Sequence, residues 1–141
     1  MDNTNEMVLE FDSNSKNESF ARVVVAAFVS SLDPTIEEIA DIKTAVSEAV
    51  TNCIIHAYDN KEGKITLRCR IEDHTIFIEV VDKGVGIEDV AQAMKSLYTT
   101  KPELERSGLG FAFMEAFTDK LEVISSPGVG TTVRMEKTIA H

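Results

Sequence analysis

The chain has 141 residues, with 14 Lys and Arg against 24 Asp and Glu, a formal charge of −10, and 43% of it is hydrophobic. That length suits one domain over residues 1–141, burying roughly 70% of the unfolded surface, and the apolar content excludes wholesale disorder. The acidic balance argues against direct nucleic-acid binding, which needs a clustered basic face, and the longest apolar run, residues 23–29, falls far short of the ~20 residues of a membrane span. The polar opening carries none of the marks of a secretory signal, and Cys53 and Cys69 read as reduced, packed thiols, so the expected address is the cytoplasm.

Met7, Leu9 and Phe11 alternate with Val8, Glu10 and Asp12, which predicts a short amphipathic strand. Ser15-x-x-Glu18 has capping-box spacing and opens an apolar helix to about residue 31. Pro34 interrupts it, and Thr35-x-x-Glu38 is a second capping box before a long helix to about Tyr58, whose apolar residues recur at helical spacing from Ile36 to Ile54. Strand-like runs at 64–72 and 75–81 meet at Asp73-His74 as a hairpin. A short helical piece at 89–95 precedes a polar stretch, 96–107, which reads as a long loop, a lid over about 96–108. A helix at 110–118 and strands at 120–125 and 131–137, around the turn Pro127-Gly128-Val129-Gly130, complete the chain. Without regular βαβ alternation, the expected class is α+β: a two-layer sandwich with helices on one face of a mixed, mainly antiparallel sheet.

Six of the seven glycines form three G-x-G pairs, Gly84/Gly86, Gly108/Gly110 and Gly128/Gly130. Glycine lets a ligand approach bare backbone, and Gly108-Leu109-Gly110 also opens a helix, where free N–H groups attract anions. A phosphate cradle and ordinary turns are the two readings. No P-loop or G-x-G-x-x-G strand-to-helix turn is present, which excludes the common nucleotide motifs. On the long helix, Glu48, Asn52 and His56 are spaced four residues apart and share a face. That face is either a solvated stripe or a reactive one, on which the Asn52 amide oxygen meets Mg²⁺ and Glu48 accepts a proton. For His56 the reading is a structural hydrogen bond.

Glu48-x-x-x-Asn52, Asp82-x-Gly84-x-Gly86, Gly108-x-Gly110 and Gly128-x-Gly130-Thr131, in this order, resemble the N, G1, G2 and G3 boxes of the GHKL (Bergerat) ATP-binding fold, shared by DNA gyrase, MutL, histidine kinases and bacterial anti-sigma serine kinases. The boxes span residues 48–131, over half of the chain. There is no room for a gyrase or MutL transducer domain, and none of the three histidines is placed as a phospho-acceptor. The stretches 17–22 (NESFAR), 47–52 (SEAVTN) and 99–108 (TTKPELERSG) are similar to the sporulation branch of the anti-sigma serine kinases, and that resemblance runs nearly end to end. Ala57 departs from the Gly of many relatives.

The resemblance implies ATP or ADP and Mg²⁺ as cofactors. Asp82 would accept the adenine amino group, Gly84 and Gly86 would let the ring lie against backbone, and Thr131 would support the same edge. Asn52 would hold Mg²⁺, and Ser107, Gly108 and Gly110 would contact phosphate. Thr99, Thr100 and Lys101 belong to the lid, and Arg106 would meet the γ-phosphate, its blander reading being a solvated charge. Glu48 would deprotonate a serine. The implied partners are a sigma factor, an anti-anti-sigma factor as serine substrate and a second copy of the chain. A stress-response anti-sigma kinase, or a nucleotide-gated sigma clamp without kinase activity, are the alternatives.

Overall fold

The computed structural model describes residues 4–58, 63–84 and 110–139. The elements run β1 (Thr4–Asp12), α1 (Lys16–Val29), a 3-10 turn (Ser30–Leu32), α2 (Ile36–Asn52), a π-helical turn (Cys53–Ala57), β2 (Lys64–Glu72), β3 (Thr75–Asp82), α3 (Gly110–Phe117), β4 (Lys120–Ser126) and β5 (Gly130–Thr138). The expected pieces at 89–95 and 96–107 lie outside the described residues.

The five strands form one sheet in the order β1-β2-β3-β5-β4, and every pairing is antiparallel. Strict alternation in β2 and β3 sends Ile65, Leu67, Cys69 and Ile71, and Ile76, Ile78, Val80 and Asp82, to the buried face. Arg68, Arg70, Phe77 and Glu79 take the other. α1 packs on α2 and α2 on α3. α2 buries Ile42, Ala45, Val46, Ala49 and Val50 completely; each Val or Ile so buried stabilises the fold by about 1.5–3 kcal/mol. Lys137 Nζ stands 3.6 Å from Asp41 and 3.3 Å from the Phe117 carbonyl, tying β5 to α2 and to the end of α3. Phe111 and Met114 enter the core, whereas Phe113 and Phe117 stack on each other at its edge with centroids 6.0 Å apart.

The two capping boxes behave differently. At α2 the Thr35 hydroxyl accepts the Glu38 N–H at 3.1 Å and the Glu38 carboxylate accepts the Thr35 N–H at 2.8 Å, so the box is complete. At α1 Ser15 makes no side-chain cap. Glu18, its expected partner, instead accepts from the Ser47 hydroxyl on α2 and pairs with Arg22 at 3.5 Å. The long helix also changes pitch. Regular α-helix stops at Asn52, and the N–H of Tyr58 reaches back five residues to the Cys53 carbonyl at 3.1 Å. Such wide turns recur at functional positions.

Candidate functional site

Asp82 is the last residue of β3 and falls on its helix-facing side, so the pleat carries a carboxylate into the core, where it is 6% exposed. A buried charge must be hydrogen-bonded. Oδ1 accepts the N–H of Gly84 at 2.9 Å and that of Thr131 at 3.2 Å, while Oδ2 accepts the thiol of Cys53 at 3.4 Å. The first bond is an Asx-type turn cap. The other two reach β5 and the end of α2. Burial holds the Asp82 carboxyl above its ordinary 3.8, with the three donors pulling it back. The Cys53 thiol is pushed well above its usual value, first by burial and then by the charge of Asp82, so it remains a protonated donor.

A carboxylate offers about four lone-pair directions, and the described residues fill three of them. The remaining one, on Oδ2, suits a ligand that donates. Close backbone approach makes this arrangement possible: Gly130 has φ 137°, and a Cβ there would collide with the backbone of Asp82 and Lys83, coming within 2.8 Å of the Lys83 Cα. Thr131 Oγ1 shares a 2.7 Å hydrogen bond with Ser125, and Ser125 donates to the Gly130 carbonyl at 3.0 Å, bracing the start of β5.

Glu48 and Asn52 lie one turn apart on α2, both half-buried, and Asn52 directly precedes the thiol that touches Asp82. Cys53 thus ties the end of α2, directly after Asn52, to the terminus of β3. The π-turn begins beyond Asn52, so the α-helical pitch that puts Glu48 and Asn52 on one face does not continue through Cys53–Ala57. Gly110 opens α3, packed on α2. Gly86, Thr99, Thr100, Lys101, Arg106, Ser107 and Gly108 lie outside the described residues. Lys83 is exposed, as its charge predicts.

Sequence reasoning missed two contributors. Cys53 sits at an apolar helical position and carries no signal beyond its size. Tyr58 uses its hydroxyl twice, accepting the Lys83 N–H at 2.7 Å and donating to the Lys64 carbonyl at 2.8 Å, so it clamps the residue after Asp82 to the start of β2.

Three observations test the fit of a magnesium nucleotide: an open acceptor on a buried carboxylate for a base, a half-buried amide oxygen for a hard cation, and a helix start within the same packed layer. These residues fit. Among the described residues no three His, Cys, Asp or Glu gather as a metal cluster, and no helix is long and apolar enough to cross a membrane. An open groove of about 850 Å³ lies on the far face of the sheet, lined by Arg68, Arg70, Phe77 and Glu79 among others, and none of the candidate residues borders it.

Comparison with known proteins gives a consistent result. Residues 11–137 match the family described as histidine kinase-like ATPase domain. The anti-sigma F factor of Caldanaerobacter subterraneus subsp. tengcongensis is 66% identical over 141 residues, covering 100% of this chain and 99% of that protein. That of Bacillus subtilis is 55% identical over 134 residues, covering 94% and 92%. Among solved structures, the RsbU and RsbW domains of Rv1364c from Mycobacterium tuberculosis superpose with TM-score 0.67 at 18% identity, over 96% of this chain and 32% of that one. The histidine kinase domain of the Erythrobacter litoralis EL346 blue-light activated kinase gives 0.60 at 20% identity, over 87% and 61%. The structural likenesses share the fold: helices over an antiparallel sheet.

Proposed function

The chain belongs to the histidine kinase-like ATPase family and, within it, to the anti-sigma F factors; on that premise we propose that it sequesters a sigma factor and, as an ATP-dependent serine kinase, phosphorylates an anti-anti-sigma partner. The observation that carries this reading is the buried Asp82 carboxylate, held by three donors with one acceptor direction left open by the described residues, and bonded to Cys53, the residue that follows Asn52.

In this reading Asp82 accepts the exocyclic amino group of adenine, which rejects bases that present an oxygen there. Gly84, Gly86 and Thr131 shape the same edge. Asn52 holds Mg²⁺ through its amide oxygen, and Ser107, Gly108 and Gly110 contact phosphate. Bound Mg²⁺ supplies charge neutralisation on the phosphates. Thr99, Thr100 and Lys101 belong to the lid, and Arg106 meets the γ-phosphate, a role suited to a planar, always-charged donor. Glu48 removes the proton from the attacking serine hydroxyl. The working form is a homodimer in the cytoplasm.

The decisive experiment mixes the protein with Mg-ATP, an anti-anti-sigma protein and a sigma factor, and follows both phosphate transfer and retention. Glu48→Gln should keep ATP affinity within a few fold and slow transfer by roughly 10²- to 10⁴-fold. Full transfer activity in that variant would reject the assignment of Glu48. Nucleotide-dependent retention of sigma with no transfer by the wild type would favour a clamp without kinase activity.

A further inference from the structure

The core needs only a small apolar side chain at position 53. Its neighbours Ala49, Val50 and Ile54 are buried, and the backbone N–H of Cys53 is shared between the carbonyls of Ala49 and Val50 where the pitch of the helix changes. A methyl group would satisfy that packing. The residue present is instead a thiol, 3% exposed, 3.4 Å from Asp82 Oδ2. Oδ1 is held from the β3 turn and from β5, so the Cys53 thiol holds the carboxylate from a third side. With all three donors in place, the carboxylate plane is fixed and the described residues leave a single acceptor direction.

We propose that Cys53 is a positioning residue for base recognition, its thiol orienting Asp82 so that the carboxylate discriminates between ligands with an amino group and ligands with an oxygen at the recognised position. This rests on the reading of Asp82 as the adenine contact. A thiol is a weak donor, yet the water-poor setting strengthens the bond and no second water need be ordered in its place. Without the donor, Oδ2 has two open directions, the carboxylate can turn, and the penalty for a mismatched base falls.

The test measures calorimetric affinities for the magnesium salts of ATP and inosine triphosphate, which carries an oxygen in place of the amino group, alongside the melting temperature of the ligand-free protein. Cys53→Ala should weaken ATP by roughly 3- to 10-fold and leave inosine triphosphate within about two-fold, so that the preference shrinks. Cys53→Ser, which keeps a donor, should restore the preference to within about two-fold of wild type. Cys69→Ala removes another buried thiol, in β2, and should leave the preference unchanged. Equal weakening of both nucleotides by Cys53→Ala, or an unaltered preference, overturns the proposal. Asp82→Asn separates the two levels. If it abolishes a wild-type preference that Cys53→Ala retains, Asp82 reads the base and Cys53 does not orient it; a wild type with no preference overturns the Asp82 reading itself.

Discussion

Two regions of one sheet handle charge in opposite ways. On the uncovered face the antiparallel register lines up Arg68, Glu79, Arg134 and Glu122 in one cross-strand row, and Glu6, Arg70, Phe77, Glu136 and Lys120 in the next. Alternating signs meet side by side, at 3.3 Å for Arg68–Glu79 and 2.8 Å for Arg134–Glu79, with the Arg70 guanidinium 4.3 Å above the Phe77 ring. At the buried end of β3 stands a single carboxylate, and its partners are two backbone N–H groups and a thiol rather than counter-charges. Water can replace any partner in the first region, whereas in the second the bonds from Cys53 and Thr131 are buried away from it. Charge on the open face is therefore tolerant, whereas at Asp82 each donor and each ångström of backbone clearance counts.

The largest effect should come from that clearance. At Gly130 an added Cβ meets backbone, which no rotamer change relieves, and φ 137° disfavours any L side chain. Gly130→Ala is expected to destabilise the fold by about 2–4 kcal/mol, a fall in Tm of roughly 8–15 °C, read by thermal unfolding. Gly128→Ala has φ 78° but open space around it and should cost about 1 kcal/mol. Equal losses would show that backbone conformation alone, not contact with Asp82, sets the demand for glycine.

Next comes the charge itself. Burial raises the Asp82 pKa above the ordinary 3.8, so as pH falls the native chain takes up this proton before the unfolded chain does. The ionised form therefore lowers stability, fully so above the raised pKa, and the penalty disappears below the ordinary value. Ligand binding runs the other way, because the ionised carboxylate is the stronger acceptor and protonation puts an O–H donor on the same group: ATP affinity should begin to fall at a higher pH than an ordinary aspartate would dictate. Asp82→Asn should lose about 1–3 kcal/mol of binding at neutral pH, roughly 5- to 150-fold, and flatten that acid limb. Calorimetry at stepped pH checks both, and identical acid limbs in wild type and variant would contradict the assignment.

How much of this was legible beforehand follows from the range of each interaction. The β2–β3 hairpin could be read because one-sided burial imposes alternation on residues 64–82, with Asp73 taking φ 54° at the turn. The Thr35 cap was equally readable, since both of its bonds span three residues. The Ser15 cap misled because the Glu18 carboxylate is claimed by Ser47, 29 residues away, a competition no local pattern records. The placement of β4 outside β5 is another long-range outcome: β4 alternates only between exposed and half-buried and takes the edge. At the site, Asp82, Gly84 and Thr131 were marked by motif, and the structure joins them directly. Cys53 and Tyr58 were invisible because their side chains continue an apolar helical pattern while their polar atoms act across the fold.

Tyr58 gives a smaller effect. Its hydroxyl, held above the usual 10.0 chiefly by burial, stays a donor at neutral pH and joins Lys83 to Lys64. Tyr58→Phe should cost about 1 kcal/mol, because the Lys83 N–H is exposed and water can replace one partner. Since Lys83 lies between Asp82 and Gly84, ATP binding should weaken by about two- to five-fold in calorimetry. No change in affinity would confine Tyr58 to the fold.

The smallest effect belongs to the open face. Arg134 donates to Glu79 and lies 3.5 Å from Glu122, contacts that raise its pKa from 12.5 through the Glu79 hydrogen bond first. Both ends of the row are open to solvent, so removing the arginine exposes Glu79 to water rather than stranding it, and Arg68 remains 3.3 Å away to share its charge. Arg134→Ala should therefore move Tm by no more than about 3 °C, and the difference should fade in about 1 M salt, where the screening length falls to about 3 Å. ATP affinity should not change. A large loss of stability that survived high salt would mean the row is locked together as a network, and the contrast between a tolerant face and a demanding terminus would no longer hold.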